Sequence, residues 1–539
     1  MAMAEHISPD LTAAAAAVAL ARSVVDGAVI TMRDNGGIDA NQVVAYDIAH
    51  AASAVATAQS TLDYGAKGDV EARICCAFIA DAVRDLGQRV VGREALFGVQ
   101  QDWMAPISEF VSVWCDPEVL ASMIGIQGPR HLGEDFELVA STFHRFAEEQ
   151  IRPRAEHIHR ENADIPEDLI QALADIGGMG LSVPEEYGGF ADGGEADYLG
   201  MVVATEELTW GSLGAGGALI TRPEILARGV MAGGTDEQKQ RWLPKLATAE
   251  MMAAVAVTEP DYGSDVAGIN TMATKTDGGW LINGTKTWCT FAARANALML
   301  LARTDPDRTK THRGLSLFVV DKDVADGHGF LFTQTASEQG RSDDNGRMEG
   351  RPIDTLGYRG MHSYEIAFDN WFVPDANLVG GDDGIGKGFY FQMAGFENGR
   401  IQTAARAVGI MQAAYEAAYT YAENRKVFGE AIIDYQLTKA KLVRMAVIIQ
   451  ACRQYTLEVA RLMADGGGSI EASMAKAYMC RAAEWVTREA MQIHGGMGYA
   501  EEYDVSRYFV DARVLSIFEG ADETLCLKVV ARRLLEQAG

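Results

Sequence analysis

The sequence predicts an α+β chain that is mostly helical, in which a block of short strands separates two helical regions. Residues 1 to about 128 are rich in Ala and poor in Pro, and a second helical pattern continues to about residue 234. Between about 251 and 385, short apolar runs are bounded by Gly, Asn, Asp and Pro, which is typical of strands. The remaining residues form long stretches with apolar faces, which indicates a helix bundle.

Length and composition limit the kind of protein this is. At 539 residues the chain exceeds one compact core, and 48% hydrophobic with 23% charged residues is typical of a soluble globular protein. The net charge of -28 argues against nucleic acid as a partner, since phosphates are bound mainly by Lys and Arg. A phosphorylated small ligand stays possible, because a local basic cluster outweighs the global charge at contact range.

The first domain, residues 1–130, is predicted to be a helical extension of three or four helices, with breaks at 34–37 and 63–69. The apolar run that begins at Leu11 lacks a basic segment before it and is too short to span a bilayer. We therefore expect a buried or amphipathic helix and no membrane contact. Seven scattered cysteines without a CxxC pair indicate reduced thiols in a cytoplasmic protein.

Three further domains follow: a helical domain at 131–250, a β-domain at 251–385 and a helix bundle at 386–539. The motif "VTEPDYGSD" (257–265) is a turn that can hold a polar ring edge or a phosphate, or is a plain β-turn. "TKTWCT" (285–290) places an aromatic and a hydroxyl on one strand face, or is simply an edge strand. "QIHGGMGY" (492–499) ends a helix with paired glycines, as a cap or where a ligand meets bare backbone. No group of residues has the spacing of a metal site.

Glu519 is the candidate catalytic residue. It follows the strand-like apolar run of "RVLSIFEGADETL" and precedes Gly520, which allows close backbone approach. A general base and an ordinary turn carboxylate have the same local sequence, so these residues alone leave both interpretations open.

Taken in order, "VTEPDYGSD", "TKTWCT", "LGYRG", "ENRKVFG", "YQ", "QIHGGMGY" and "IFEGADE" resemble the acyl-CoA dehydrogenase family over about residues 131–537. The resemblance implies that family's fold: a helical domain, a small β-barrel and a C-terminal four-helix bundle, here with the N-terminal extension added. It also implies FAD-dependent α,β-dehydrogenation of an acyl-CoA, with Glu519 as the base. The extension and the C-terminal segment resemble members that oxidise a branched, carboxylated thioester.

The resemblance assigns site residues position by position. Those implied to bind FAD are Val257, Thr258, Gly263, Ser264, Trp288, Thr290, Arg425, Phe428, Gln436, Gln492, Gly495, Gly496, Ala521 and Glu523. Those implied to bind substrate are Ser264, Glu397, Arg400, Gly520 and Arg222. Several FAD contacts come from a neighbouring subunit, which implies a homodimer or homotetramer, with the dimer favoured. Electron-transfer flavoprotein is the implied acceptor.

Three features bear on how far the resemblance extends. Ala521 stands where most relatives have Thr, so one hydroxyl contact to FAD is expected to be missing. Residues 335–354 resemble an insertion and are predicted to be a mobile surface segment. In "TEELTWGSLGAGGALITRPEIL" the glycines are interpreted as room for a branched chain and Arg222 as the partner of a substrate carboxylate. The alternative is that Arg222 caps a helix or points to solvent.

Three rival functions are compatible with the same fold. A flavin monooxygenase typically lacks the carboxylate found here at Glu519, which argues against that class. An acyl-CoA oxidase differs only in its acceptor, and the sequence discriminates poorly between the two. A binding or scaffold protein with a decayed flavin site is disfavoured by the intact motifs.

Overall fold

The computed structural model describes residues 7–325, 328–339 and 345–538, and these residues form two compact units. The first unit contains the chain up to residue 139 together with residues from 400 onward. The second unit contains residues 140–399. The N-terminal extension and the C-terminal helices therefore belong to the same unit.

The regular elements follow the predicted order of helices, strands and helices. The helices before the first strand are α1 (Leu11–Asp34), α2 (Gly37–Ala40), α3 (Gln42–Gly65), α4 (Asp69–Val90), α5 (Ser108–Trp114), α6 (Pro117–Ser122), α7 (Glu134–Phe146), α8 (Arg152–Arg160), α9 (Glu167–Asp175), α10 (Glu195–Gly211), α11 (Thr221–Gly233) and α12 (Asp236–Ala247). The strands that follow are β1 (Ala253–Ala256), β2 (Met272–Thr276), β3 (Gly279–Lys286), β4 (Ala297–Arg303), β5 (Leu315–Asp321), β6 (Phe330–Gln334), β7 (Gly346–Ile353) and β8 (Ser363–Pro374). The last elements are α13 (Gly388–Asn424), β9 (Lys426–Val427), β10 (Glu430–Ala431), α14 (Gln436–Ala464), α15 (Ser469–His494), α16 (Asp504–Leu515), α17 (Asp522–Thr524) and α18 (Ala531–Gln537).

Helix α1 begins after Asp10, whose side chain accepts hydrogen bonds from the backbone N–H groups of Thr12 and Ala13, each at 2.9 Å. Its buried residues recur at helical spacing from Ala14 to Met32, and the helix packs on α3 and α4. The prediction of a buried or amphipathic helix is confirmed. The helix is 24 residues long, however, so the expectation that the segment is too short to cross a bilayer is wrong. In the described part of the chain α1 alone passes a length-and-composition test for a membrane span, a test that core helices of soluble proteins also pass.

The extension packs on the C-terminal bundle inside the first unit. Helices α3 and α4 each contact α14, and α3 also contacts α15 and the segment Leu525–Val530. The predicted breaks are confirmed, because α1 ends at Asp34 and α3 ends at Gly65, four residues before α4 begins. The extension therefore forms part of the same folded unit as the segment that carries Glu519.

The second unit is built around an eight-stranded sheet in the order β1-β4-β2-β3-β8-β7-β6, with β5 also paired to β4. Most neighbours are antiparallel, but β4 runs parallel to β1 and to β2. Every residue of β4 is buried. Its side chains share a core with residues from α11, α12 and β5, among them Leu226, Val230, Trp242, Leu246, Met299 and Leu317. The predicted β-domain is confirmed, although it is not purely antiparallel.

The described residues 345–354 are not part of a mobile surface segment, which the polarity of 335–354 had predicted. Among them, Gly346–Ile353 forms β7, which pairs with β6 on one side and β8 on the other. Met348 is buried opposite Phe368, while Arg347 is exposed and Glu349 is half-buried. A strand with only one face against the core has a polar sequence on its other face, which explains the wrong prediction. Residues 340–344 lie outside the described residues.

Candidate functional site

Glu519 lies in a tight turn that follows a helix. The apolar residues before it end α16 and continue into the turn, so the strand-like interpretation of that run is wrong. Glu519 has a φ of 54° and Gly520 a φ of 97°. A left-handed backbone is costly for a residue with a side chain and persists where the surroundings hold it, which occurs often at functional sites.

The Glu519 carboxylate is half-buried and unpaired. Its Oε2 atom is shielded from solvent and has no hydrogen-bond partner among the described residues. Within the same part of the chain, the backbone N–H groups of Glu519 and Gly520 donate to no acceptor. Buried polar groups are nearly always hydrogen-bonded in folded proteins, so this set of open donors and acceptors indicates a place for a ligand.

Lys476 on α15 contacts the turn that contains Glu519. Its ammonium is fully buried and donates to the Gly520 carbonyl at 2.7 Å. Burial lowers the pKa of Lys476, and the negative charges of Glu519 and Asp522 oppose that shift. The sequence analysis missed Lys476. The available signal was a lysine inside the otherwise apolar stretch "SMAKAYMC" of a helix.

A second basic residue supports the turn. The guanidinium carbon of Arg406 lies 5.7 Å from the centre of the Phe518 ring, and Arg406 is fully buried. This cation–π contact restrains the side chain of Phe518, the residue that directly precedes Glu519. Arg400, the predicted CoA contact, is half-buried, and its Nη1 donates to Ser473 Oγ at 3.3 Å.

Three predicted FAD contacts of the first unit, Arg425, Phe428 and Gln436, are exposed. Arg425 is exposed beside the β9–β10 hairpin, and Phe428 at its tip is 99% exposed with a φ of 51°. A side chain at the exposed tip of a hairpin is accessible to another molecule. Gln436 is also exposed, and its amide donates to Glu118 of the extension at 2.6 Å.

The glycine pair after α15 forms open backbone. Helix α15 ends at His494, and Gly495 adopts a φ of 60°, so the predicted helix end is confirmed. No atom lies within 4 Å of where a Cβ would stand at Gly495 or Gly496, and both are exposed together with Gln492. Exposed backbone without side chains suits close approach by a ligand. Glu523 is exposed, and Ala521 supplies no hydroxyl.

In the second unit, strand β1 leads directly into the predicted turn. The carbonyl of the buried Val257 accepts a hydrogen bond from Lys286 Nζ at 2.9 Å, and that of Thr258 accepts one from the Thr287 N–H at 2.8 Å. Gly263 and Ser264 are exposed beyond the turn, and Gly263 has open space where a Cβ would stand. The predicted turn after a strand is confirmed, and its exposed end is accessible to a ligand.

Trp288 and Thr290 do not share a strand face as predicted. Strand β3 ends at Lys286, and Trp288 has a φ of 57°, which an extended strand does not accommodate. The Trp288 side chain is 55% exposed, and Thr290 Oγ1 lies 3.1 Å from Ser363 Oγ. An exposed indole beside a hydroxyl still fits a planar ring ligand, although from a loop.

A buried ion pair lies beside Val257, which directly follows β1. Lys286 Nζ lies 2.8 Å from Glu259 Oε1, and both residues are buried. Burial lowers the pKa of Lys286, and the Lys286 charge, together with backbone hydrogen bonds, lowers that of Glu259 against the effect of its own burial. The pair was not predicted, since nothing in the sequence places these residues together.

We expect Lys286→Met to destabilise the protein by about 3–5 kcal/mol, because it leaves a buried carboxylate without its cation. The matched control is Lys275→Met, which breaks an exposed pair with Asp375. That pair should contribute no more than about 1 kcal/mol. Urea unfolding of both variants measures the difference, and equal stabilities would contradict the structural role given to Lys286.

Arg222 is buried, so the expectation that it points to solvent is wrong. It is 6% exposed, and its guanidinium donates to the Ala218 carbonyl and to Thr221 Oγ1, each at 3.2 Å. The first of these bonds is the helix-capping contact considered as an alternative. No carboxylate pairs with Arg222 in the described ranges. A buried cation without an anion is costly, and a ligand carboxylate would compensate it.

The glycines before Arg222 do not provide the room that was predicted. They lie in a π-helical segment, Leu213–Ala218, whose residues are all buried. A Cβ at Gly214 would lie 2.5 Å from the Arg359 carbonyl oxygen, and one at Gly217 would lie 1.8 Å from Thr209 Oγ1. These glycines permit close packing of protein on protein, so the interpretation as space for a branched chain is wrong.

The two units divide the predicted site residues. The first unit holds Glu519, Gly520, Ala521 and Glu523 with Arg400, Arg425, Phe428, Gln436, Gln492, Gly495 and Gly496. The second holds Arg222, Val257, Thr258, Gly263, Ser264, Trp288, Thr290 and the exposed Glu397. Both sets contain exposed residues, while Arg222 and Val257 are buried, and the role of each residue stays a prediction.

Models of three consecutive domains match the chain. Residues 133–250, 254–371 and 386–535 match the N-terminal, middle and C-terminal domains of acyl-CoA dehydrogenase. The chain is 44% identical to (2S)-methylsuccinyl-CoA dehydrogenase of Cereibacter sphaeroides, over 76% of this chain and 71% of that protein.

Solved structures agree with these matches. A glutaryl-coenzyme A dehydrogenase in complex with glutaryl-CoA has a TM-score of 0.67 and 28% identity, covering 75% of this chain and 96% of that chain. A chain from a structure of the electron transferring flavoprotein of Acidaminococcus fermentans has a TM-score of 0.66 and 29% identity, covering 75% and 98%.

Proposed function

The chain belongs to the acyl-CoA dehydrogenase family and is an oxidoreductase acting on CH–CH groups, and from that premise we propose that it dehydrogenates a branched, carboxylated acyl-CoA. The proposed reaction converts (2S)-methylsuccinyl-CoA to mesaconyl-CoA, a step of the ethylmalonyl-CoA pathway. The observation that carries the proposal is Glu519, a half-buried carboxylate with an unpaired buried oxygen in a strained turn.

Glu519 acts as the general base in this proposal. The α-proton of a thioester is weakly acidic, so its removal needs a positioned base and stabilisation of the enolate oxygen. The shielded Oε2 atom has no competing hydrogen bond among the described residues, so it is available to accept that proton. Lys476 and the Phe518–Arg406 contact keep the turn in place while it does so.

The open backbone N–H of Glu519 supplies a donor for the thioester carbonyl. A preorganised donor aimed at developing negative charge is worth about 3–4 kcal/mol in an enclosed site. Within the described chain this N–H donates to no protein acceptor, so it is available for that purpose without breaking an existing bond.

The family is FAD-dependent, and the residues present fit that cofactor. In the second unit, Trp288, Thr290 and the exposed turn at Gly263 would hold it. In the first unit, Arg425, Phe428 and the bare backbone of Gly495 and Gly496 would contact the FAD of a neighbouring subunit. When bound, FAD supplies a hydride acceptor for the β-hydrogen. The chain's own residues bind and orient the substrate and remove the α-proton. The missing hydroxyl at Ala521 removes one possible contact to the cofactor.

The substrate carboxylate is the finer part of the proposal. Burying an unpaired carboxylate costs several kcal/mol, so a carboxylated thioester needs a cation in its pocket. Arg222 is buried without a carboxylate partner among the described residues, which suits this role. The relative at 44% identity is named for methylsuccinyl-CoA, and a structural neighbour was solved with glutaryl-CoA. Both of those acyl groups end in a carboxylate.

Electron-transfer flavoprotein is the proposed acceptor, as the resemblance to the family implies. Oxygen is the alternative acceptor, as in an oxidase.

The reaction is tested by incubating the holoenzyme with a panel of acyl-CoAs and a dye acceptor, and analysing the products by mass spectrometry. Loss of two hydrogens from methylsuccinyl-CoA supports the proposal. Preference for an uncharged branched thioester would contradict methylsuccinyl-CoA as the substrate. Rapid peroxide formation in air would contradict electron-transfer flavoprotein as the acceptor.

We expect FAD release to accompany dissociation of the oligomer, because the proposal places Arg425 and Phe428 on the FAD of a neighbouring subunit. The exposure of Phe428 supports this arrangement. Analytical ultracentrifugation with flavin absorbance, across a dilution or mild urea series, follows both quantities together. A stable monomer that keeps one FAD per chain would contradict the shared site.

A further inference from the structure

Helix α3 of the N-terminal extension contacts Asp522, three residues after Glu519. His50 Nε2 lies 3.0 Å from Asp522 Oδ2, and the Tyr46 hydroxyl donates to the same oxygen. His50 and Asp522 are both buried. Both contacts lie within the first unit and join segments more than 450 residues apart in sequence.

Asp522 closes the turn that holds Glu519. Its backbone N–H donates to the Ser516 carbonyl at 3.1 Å, so residues 516–522 form a closed loop. Inside this loop Glu519 and Gly520 adopt left-handed φ values, and Lys476 holds the Gly520 carbonyl. A strained turn of this kind keeps its shape only while its ends are fixed.

The buried Asp522 carboxylate accepts hydrogen bonds from side chains of α3. Burial opposes ionisation of Asp522, but hydrogen bonds from His50 and Tyr46 outweigh it and lower the pKa of the carboxyl. Burial lowers the pKa of His50, while the hydrogen bond and the charge of Asp522 oppose that shift. Hydrogen bonds to an ionised, buried acceptor are about twice as strong as neutral ones.

We propose that Tyr46 and His50 are positioning residues, through which the N-terminal extension holds the loop of the catalytic base in its reactive geometry. The inference rests on the proposed role of Glu519 as base. It gives the extension a function in catalysis, since α3 is the element that supplies both contacts. A misplacement of a base by about 1 Å typically costs on the order of 100-fold in rate.

His50 and Asp522 also allow an alternative interpretation, a metal site. His50, Asp522 and Cys526 are the one group of three potential metal ligands found in the described residues, with their ligand atoms within 4.8 Å of one another. The candidate ligand atoms are already engaged in hydrogen bonds, because Tyr46 donates to Asp522 Oδ2 and the Cys526 thiol contacts His50 Nε2 at 3.4 Å and Asp522 Oδ1 at 3.8 Å. Metal analysis of the purified holoenzyme decides this point. Stoichiometric zinc would overturn the hydrogen-bond account, and its absence supports it.

The test compares His50→Leu and Tyr46→Phe, which remove the donors, with His50→Gln, whose amide replaces the Nε2 donor. We expect kcat to fall roughly 10- to 100-fold in the first two variants, with KM and FAD content unchanged. His50→Gln should recover most of the activity. Hydrogen exchange of the amides in residues 516–522 should become faster in His50→Leu, independently of turnover.

Asp47→Asn is the matched control on the same helix. Asp47 pairs with Arg89 and Arg93 of α4 and does not contact Asp522. The control should keep kcat and the exchange rates of residues 516–522. Wild-type kcat in His50→Leu, or an equal loss in Asp47→Asn, would overturn the positioning role. Full activity of Glu519→Gln would instead overturn the proposed function, so the two failures are distinguishable.

Discussion

Glu519→Gln is expected to bind FAD normally and to lose turnover by at least ~10²–10⁴-fold. The amide keeps the shape and size of the side chain but cannot accept the α-proton. The strained turn around Glu519 is held by Lys476 and Asp522, which the substitution leaves in place. Turnover of methylsuccinyl-CoA under single-turnover and steady-state conditions measures the effect.

Glu502→Gln provides the control for this variant. Glu502 is an exposed carboxylate in the same unit and is not among the predicted site residues, so its substitution removes the same charge without removing the base. We expect it to keep kcat within a few-fold of wild type. If Glu519→Gln reduced its flavin at a rate near wild type, the assignment of Glu519 as base would be wrong.

Arg222→Met is expected to lower kcat/KM for methylsuccinyl-CoA at least roughly 30-fold, because truncating one side of a buried charge pair costs about 2–5 kcal/mol. Activity on an uncharged branched thioester of similar length should fall much less, since that substrate leaves no buried carboxylate unpaired. The ratio of the two kcat/KM values therefore reports on specificity separately from stability.

The control is Arg228→Met on the same helix. Arg228 already pairs with Glu224 at 3.2 Å, so its loss should affect both substrates equally. An equal loss on both substrates in Arg222→Met would show that Arg222 only caps the Ala218 carbonyl. The substrate proposal would then depend on resemblance to relatives alone.

The order of the motifs was sufficient to predict the fold class and to single out Glu519. Each motif alone fitted a plain turn or cap, but their sequence along the chain fitted one family. Local pattern failed where the backbone departs from regular structure. Alternation placed Trp288 on a strand, whereas its positive φ places it in a loop.

The sequence shows where a glycine lacks a side chain, but it does not show which atoms occupy the space beside that glycine. Gly214 and Gly217 were interpreted as room for substrate, but protein atoms fill that room. Likewise, Tyr46 and His50 showed no functional pattern, because their partner Asp522 lies more than 450 residues away in the chain. Contacts of this range depend on how the helices pack, which single-sequence periodicity does not determine.

The most direct measurement is anaerobic mixing of the FAD-loaded protein with methylsuccinyl-CoA while flavin absorbance is followed. Loss of the oxidised flavin band in wild type, and its persistence in Glu519→Gln with equal FAD content, is the predicted result. A wild-type flavin that stays oxidised with methylsuccinyl-CoA and with every other saturated acyl-CoA tested, despite stoichiometric FAD, would contradict the central claim.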